Sequence, residues 1–230
     1  MKELISPHLD DVVYSCWYQL NESARVVTVF TGFSEDEKPS DWDISTGFTN
    51  SREAFIARKR ENSEALTPTL AASVDLDLLD VMYRNKPIDL GQVTRVILGN
   101  VSLKNTLYFP LGFSFNFWHP DHVLLREAGK SLLQQGADVR FYADLPYCIA
   151  PGQTERWPEN LPPDTLEQII GQSILIEPIQ LTPEQASAKY AAVRKYTSQF
   201  ERNDTLSGYV LSDQRTYEWE AMIKPMQTRS

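Results

Sequence analysis

Ile5-Ser6-Pro7-His8-Leu9-Asp10-Asp11-Val12 is the stretch on which the reading of this chain turns. Glu3 to Pro7 leave room for one short strand, and Pro7 ends it because proline has no N–H to give to a ladder. Asp10 and Asp11 stand where a helix begins, and a carboxylate there accepts from free backbone N–H groups. Val12 to Leu20 is expected to be that helix. Arg25-Val26-Val27-Thr28-Val29-Phe30-Thr31 follows, dense in β-branched residues and stopped by Gly32, which is the clearest strand signal in the chain. Strand, helix and strand in so short a span predict an α/β layered fold with a mostly parallel sheet.

Composition narrows the function classes. At 230 residues, 42% hydrophobic and 23% charged, the chain suits one soluble globular domain with a substantial core. With 31 acidic against 22 basic side chains the net charge is -9, which argues against a general nucleic-acid-binding face. Cys16 and Cys148 form no CxxC pair and read as reduced core residues. No apolar stretch has the length of a membrane span. No secretory signal is visible, so the expected location is cytoplasmic.

Outward from the opening stretch, residues 33–50 read as a loop long enough to be functional. Ser51 to Leu66 reads as a charged helix, and Val74 to Leu79 as a short strand or as a helix running on to Tyr83. Val93 to Leu98 is apolar enough for another strand. Tyr108 to Trp118 carries Pro110 and Gly112 among many aromatics, which predicts a strand end running into an aromatic loop. Asp121 to Gln135 has helical spacing, Gly136 stops it, and Asp138 to Leu145 is a strand. Residues 151–163 hold four prolines and mark a border between a core, 1–150, and a C-terminal elaboration, 151–230, of a single domain. Ser173 to Leu181 reads as a strand. Thr182-Pro183-Glu184-Gln185 is a capped helix start, with the helix expected to run to about Phe200. Tyr209, Tyr217 and Trp219 are expected to pack back on the body.

Only three histidines are present, His8, His119 and His122, and each lies within one or two residues of an aspartate. Two histidines and a carboxylate with an open position is the pattern of a catalytic metal rather than a closed structural site. Sequence alone leaves open which of Asp10 and Asp11 binds the metal. The other is then available to move a proton.

Ser6-Pro7-His8-Leu9-Asp10-Asp11 and His119-Pro120-Asp121-His122, in this order and separation, resemble the paired signatures of the LmbE-like, or PIG-L, family of zinc-dependent N-acetylglucosaminyl de-N-acetylases. The similarity covers most of residues 3–150. Weaker matches lie in the Thr31-Gly32 turn, the arginine-rich helix around Arg60, and Lys189 with Tyr196 to Gln199. The resemblance implies a Rossmann-like three-layer sandwich. It implies that His8, Asp11 and His122 bind Zn2+, that Asp10 is the general base, and that His119 opposes charge on the tetrahedral intermediate, with Asp121 fixing its ring. Leu9 stands where the family has proline, Val12 where it has glutamate, and Tyr196 where relatives often carry histidine. These departures spare the ligands and bear on the substrate.

The leading expectation is therefore removal of an acetyl group from an N-acetylated amino sugar or its conjugate. Arg60, Phe117 and Trp118 are the candidate substrate contacts, the arginine for an anionic group and the aromatics for a sugar or an attached aglycone. The expected partner is this small molecule, with no nucleic acid and no membrane span; no oligomeric state is read from the sequence. A metal-dependent amidase or esterase on a non-sugar metabolite, and a non-catalytic binding protein of the same fold, are the competing readings.

Overall fold

The computed structural model describes residues 1–150, 152–199 and 212–226. In chain order its strands and longer helices are β1 (Lys2–Ser6), α1 (Asp11–Ser15), β2 (Ala24–Thr28), α2 (Asp41–Ser45), α3 (Ser51–Leu66), β3 (Ala72–Asp75), α4 (Leu90–Leu98), β4 (Thr106–Pro110), α5 (Pro120–Gln134), β5 (Val139–Tyr142), α6 (Pro163–Ile170), β6 (Ile174–Gln180), α7 (Pro183–Val193) and β7 (Trp219–Pro225). The sheet order is β3-β2-β1-β4-β5-β7-β6. Strands β3, β2, β1, β4 and β5 pair in parallel, and β7 joins β5 and β6 antiparallel. The expected α/β fold with a mostly parallel sheet is thus observed. Among the described residues no helix is long and apolar enough to cross a membrane.

The topology positions the site. From β1 the chain moves to β2 and β3 on one side, then returns to place β4 on the other. The β1–β4 junction is therefore a switch point, where the segments leaving the two strands diverge and open a crevice at their carboxyl ends. His8 follows β1, and His119 heads the helix after β4. Strand β1 sits centrally with Leu4 and Ile5 completely buried, so the strand that carries His8 is held on both faces.

Several elements differ from expectation for identifiable reasons. Helix α1 ends at Ser15 instead of Leu20, followed by a 3-10 turn over Trp17–Gln19. The N–H groups of Trp17 and Tyr18 donate to the Glu220 carboxylate at 2.7 and 3.1 Å, so they are lost to the α-helical ladder. Val93 to Leu98 belongs to helix α4, not to a strand. Asp89 caps it by accepting from Gln92 N–H at 3.0 Å, and Val93 and Ile97, four apart, are its buried residues. The 33–50 segment contains α2, started by a reciprocal Ser40–Asp43 capping box. Helix α7 stops at Val193, short of Phe200, which lies outside the described residues. Glu61 accepts from Thr197 Oγ1, Ser198 N–H and Ser198 Oγ and draws the chain down against α3. Tyr209 also lies outside the described residues, whereas Tyr217 is fully buried and the Trp219 carbonyl accepts from Trp157 Nε1 at 3.2 Å. Both cysteines are buried free thiols.

Glu220 is itself paired with the fully buried Lys189 at 2.6 Å. Removing one partner of such a pair leaves an uncompensated interior charge. Lys189→Met is therefore expected to lower stability by about 3–5 kcal/mol, read from denaturant unfolding followed by circular dichroism. A loss below about 1 kcal/mol contradicts this role for the pair.

Candidate metal centre

The first motif folds onto itself. Ser6 Oγ donates to the His8 carbonyl at 2.6 Å, and His8 N–H donates to Asp11 Oδ2 at 2.8 Å. Asp10 occupies the cap position of α1 but makes no side-chain cap bond, contrary to the capping role its position predicts. Its carboxylate instead lines a cavity of about 530 Å3 with His8, Asp11 and His119. Proline at the first position of α5 fixes the entry of the second motif. Gly112, at φ +59, lets the loop after β4 approach this helix; a Cβ there would lie 2.9 Å from the His122 carbonyl oxygen.

The two motifs meet across the crevice. Asp11 lies between the imidazoles, with Oδ2 3.2 Å from His8 Nδ1 and Oδ1 3.3 Å from His122 Nε2. The nitrogens of His8, His119 and His122 that face one another lie within 4.8 Å. His122 Nδ1 is 2.7 Å from Asp144 Oδ1, and its Nε2 is buried without a hydrogen-bond partner. A proton on Nδ1 serves Asp144 and leaves the Nε2 lone pair toward Asp11, the arrangement of a metal-ligating histidine backed by a carboxylate. His8 is treated alike: Nε2 faces Asp80 at 3.3 Å and Asp121 at 3.4 Å, leaving Nδ1 toward Asp11. These donors suit a divalent cation, and the orphaned His122 Nε2 is the observation that calls for one.

The charges follow the geometry. Burial opposes ionisation of Asp11, but His122 and His8 outweigh it and hold the carboxyl well below the usual range. Burial and the Asp11 charge push Asp10 up to about 7. Burial, then His8 and His122, push His119 down to about 2, so its ring is neutral. Its Nδ1 accepts from the Asp121 backbone N–H at 3.3 Å, which leaves Nε2 as the donor. The contact of Asp121 with the His119 ring is thus made by its backbone N–H. That carboxylate is fully buried and accepts from Val81 N–H at 2.9 Å, faces His8 and pairs with Arg84.

Of the expected substrate contacts, Phe117 lines the cavity. Arg60 does not: its side chain is 82% exposed and paired with Glu64, because it sits on the outer face of α3. Arg58, two residues away on the same helix, lines the cavity and pairs with Asp43 at 2.8 Å. Trp118 is not among the lining residues either; it packs on Phe113 and under the Arg126 guanidinium. Sequence reasoning missed Asp80, Arg84, Asp144, Tyr147 and Tyr83. Asp144 lies at the carboxyl end of the predicted strand after the second motif, and that place was the available signal. Asp80 and Arg84 lie in an irregular stretch with no such mark.

No protein-family model and no curated protein matches this sequence. Solved structures do match. Teicoplanin deacetylase, in a form described as zinc inhibited, aligns over all of both chains with TM-score 0.75 and 21% identity. N,N'-diacetylchitobiose deacetylase from Pyrococcus horikoshii aligns over 98% of this chain and 83% of its own, with TM-score 0.55 and 13% identity. The 4-carboxy-2-hydroxymuconate hydratase from Pseudomonas putida KT2440 aligns over all of this chain and 98% of its own, with TM-score 0.51 and 18% identity. The chain therefore shares the fold on which these deacetylases, and a hydratase, are built.

If Asp144 and Arg84 orient the ligands through their partners, Asp144→Ala and Arg84→Met each lower the affinity for a divalent cation by about 10–100-fold. Competition with a chromophoric chelator measures this. Affinity unchanged in both variants contradicts the assignment.

Proposed function

We propose that the protein is a zinc-dependent hydrolase that removes an acetyl group from the nitrogen of an amino sugar or its conjugate. The observation that carries this reading is that Asp10 and His119 line one cavity together with His8 and Asp11, with His122 buried behind Asp11. The deacetylases that share the fold support it. Two imidazoles and one carboxylate are a catalytic zinc donor set, and a cation bound there supplies a Lewis acid for the amide carbonyl and acidifies water.

The residues divide the remaining work. Asp10, with a carboxyl near neutrality, accepts a proton from the attacking water and returns it to the leaving amine. His119 donates from Nε2 to the oxygen that gains negative charge. As a neutral, half-buried donor it is aimed before reaction and needs no proton loss. Asp121 holds His119 through its N–H and His8 through its carboxylate, so one residue registers the two motifs. Buried, unpaired thiols agree with the cytoplasmic location that is part of this reading. The shared fold of the hydratase shows that fold does not choose the reaction, which is why the site residues carry the proposal.

Acetate release from N-acetylglucosamine and its glycosides tests it. Chelation is expected to abolish release and zinc to restore it. Asp10→Asn is expected to keep the metal and lower kcat by about 10²–10⁴-fold; loss of metal instead exchanges the roles of Asp10 and Asp11. His119→Ala is expected to lower kcat by about 10²–10³-fold. Turnover of another amide with none of any N-acetylated hexosamine defeats the amino-sugar reading in favour of a non-sugar substrate.

A further inference from the structure

The segment from Asp80 to Arg84 divides its residues between two cavities. Asp80, Met82 and Tyr83 line the cavity of the metal donors. Val81 and Arg84 line a second one, of about 410 Å3. Helix α5 is shared in the same way. His119, its cap, lines the first cavity, while Pro120 and Leu124, four residues apart on one face, line the second. Arg84 thus stands at the partition, with its guanidinium over the Phe30 ring of the first cavity.

The chain has a net charge of -9, yet no acidic residue lines the second cavity, whereas Arg84 and Lys86 do. Asp89, three residues beyond Lys86, is taken up in capping α4. The Arg84 side chain is only 9% exposed. Its Nη1 donates to the Leu79 carbonyl at 3.1 Å and its Nη2 pairs with Asp121, but its Nε is buried without a hydrogen-bond partner. Lys86 is exposed and has no ion-pair partner among the described residues. Asp121 answers one of the two positive charges, so one is left over, which matches a monoanion. The rest of the wall, Val81, Pro87, Ile88, Pro120 and Leu124, is apolar. A strongly hydrated inorganic anion gains nothing from such a wall, whereas a carboxylate on an apolar body uses both parts.

We propose that this second cavity binds a small monocarboxylate with an apolar body, its charge held by Arg84 and Lys86. The carboxylate takes the open Arg84 donor while Leu79 and Asp121 keep the other two nitrogens, so Arg84 is braced from outside the metal cavity. The added negative charge also favours a cation at the neighbouring metal centre. Carboxylate and zinc are then each bound more tightly in the presence of the other, and the coupling is reciprocal.

4-Bromobenzoate is the probe. Its bromine is located by anomalous diffraction in crystals of the zinc-loaded protein, and its affinity is measured calorimetrically. A bromine peak against Ile88 and Leu124 is expected. The neutral 4-bromobenzyl alcohol is expected to bind about tenfold more weakly, and Lys86→Glu to weaken the carboxylate about tenfold. In competition with a chromophoric chelator, saturating 4-bromobenzoate is expected to raise zinc affinity about fivefold, and Lys86→Glu to remove the rise at the same concentration. A bromine peak at the zinc alone, or none, overturns the site. Equal binding of the alcohol also overturns it, because the cavity is then apolar without being an anion site. Zinc affinity unchanged with the cavity filled, or a rise that survives Lys86→Glu, overturns the coupling. None of these readouts uses acetate release, so they stand apart from the de-N-acetylase reading.

Discussion

Five carboxylates, those of Asp10, Asp11, Asp80, Asp121 and Asp144, converge on three imidazoles where β1 and β4 end. The guanidinium of Arg84 pairs with one of them. Taking a carboxylate from water into a protein interior costs several kcal/mol unless a cation or hydrogen bonds offset it. The imidazoles offset part of this by hydrogen bonding, and they do so with one nitrogen each: His8 through Nε2 and His122 through Nδ1. The opposite nitrogens point to Asp11. A divalent cation at that point resolves both the excess negative charge and the orphaned His122 Nε2. The rest of the structure can be understood as the means of holding these groups against their mutual repulsion.

Support reaches the site from the far end of the chain. Glu220 on β7 takes the N–H groups that would have prolonged α1, and Lys189 on α7 neutralises it. The first helix is thereby kept to five residues, with Asp10 and Asp11 at its start. The Tyr196 hydroxyl meets the Leu9 carbonyl at 3.1 Å, steadying the same turn from another side. The two C-terminal strands that extend the sheet are therefore also part of what fixes the donors. The segment from Leu79 to Arg84 completes the enclosure, with Asp80 and Val81 N–H bonding into the centre and Arg84 stacking over Phe30 beside His8.

Much of this was legible in the sequence because it is written in short range. Pro7 and Gly32 mark strand ends, Thr182-Pro183 marks a helix start, and the β-branched run from Arg25 to Thr31 marks a strand. The two histidine motifs hold the expected donors, and the structure places their side chains within reach of one another. What was not legible depends on contacts distant in sequence. The early end of α1 follows from Glu220, some 200 residues away. Asp80 and Asp144 matter only through rings that other segments supply. Val93 to Leu98 misled because its β-branched residues suit a strand, while the Asp89 cap and the four-residue spacing of Val93 and Ile97 make a helix. Arg60 and Trp118 misled because residue type does not tell which way a side chain faces; Arg58, on the same helix, is the one turned inward.

The chemistry of the site turns on where a cation binds. Among the described residues two donor groups stand out: the imidazoles of His8, His119 and His122, with Asp11 between the first and the last, and a second in which His8, Asp80 and Asp121 approach one another. Anomalous diffraction at the zinc edge, from crystals of the zinc-loaded protein, decides between them. One strong peak is expected, bounded by His8 Nδ1, Asp11 and His122 Nε2 and facing Asp10 and His119. A peak between His8 Nε2, Asp80 and Asp121, or none in zinc-loaded crystals, would contradict it.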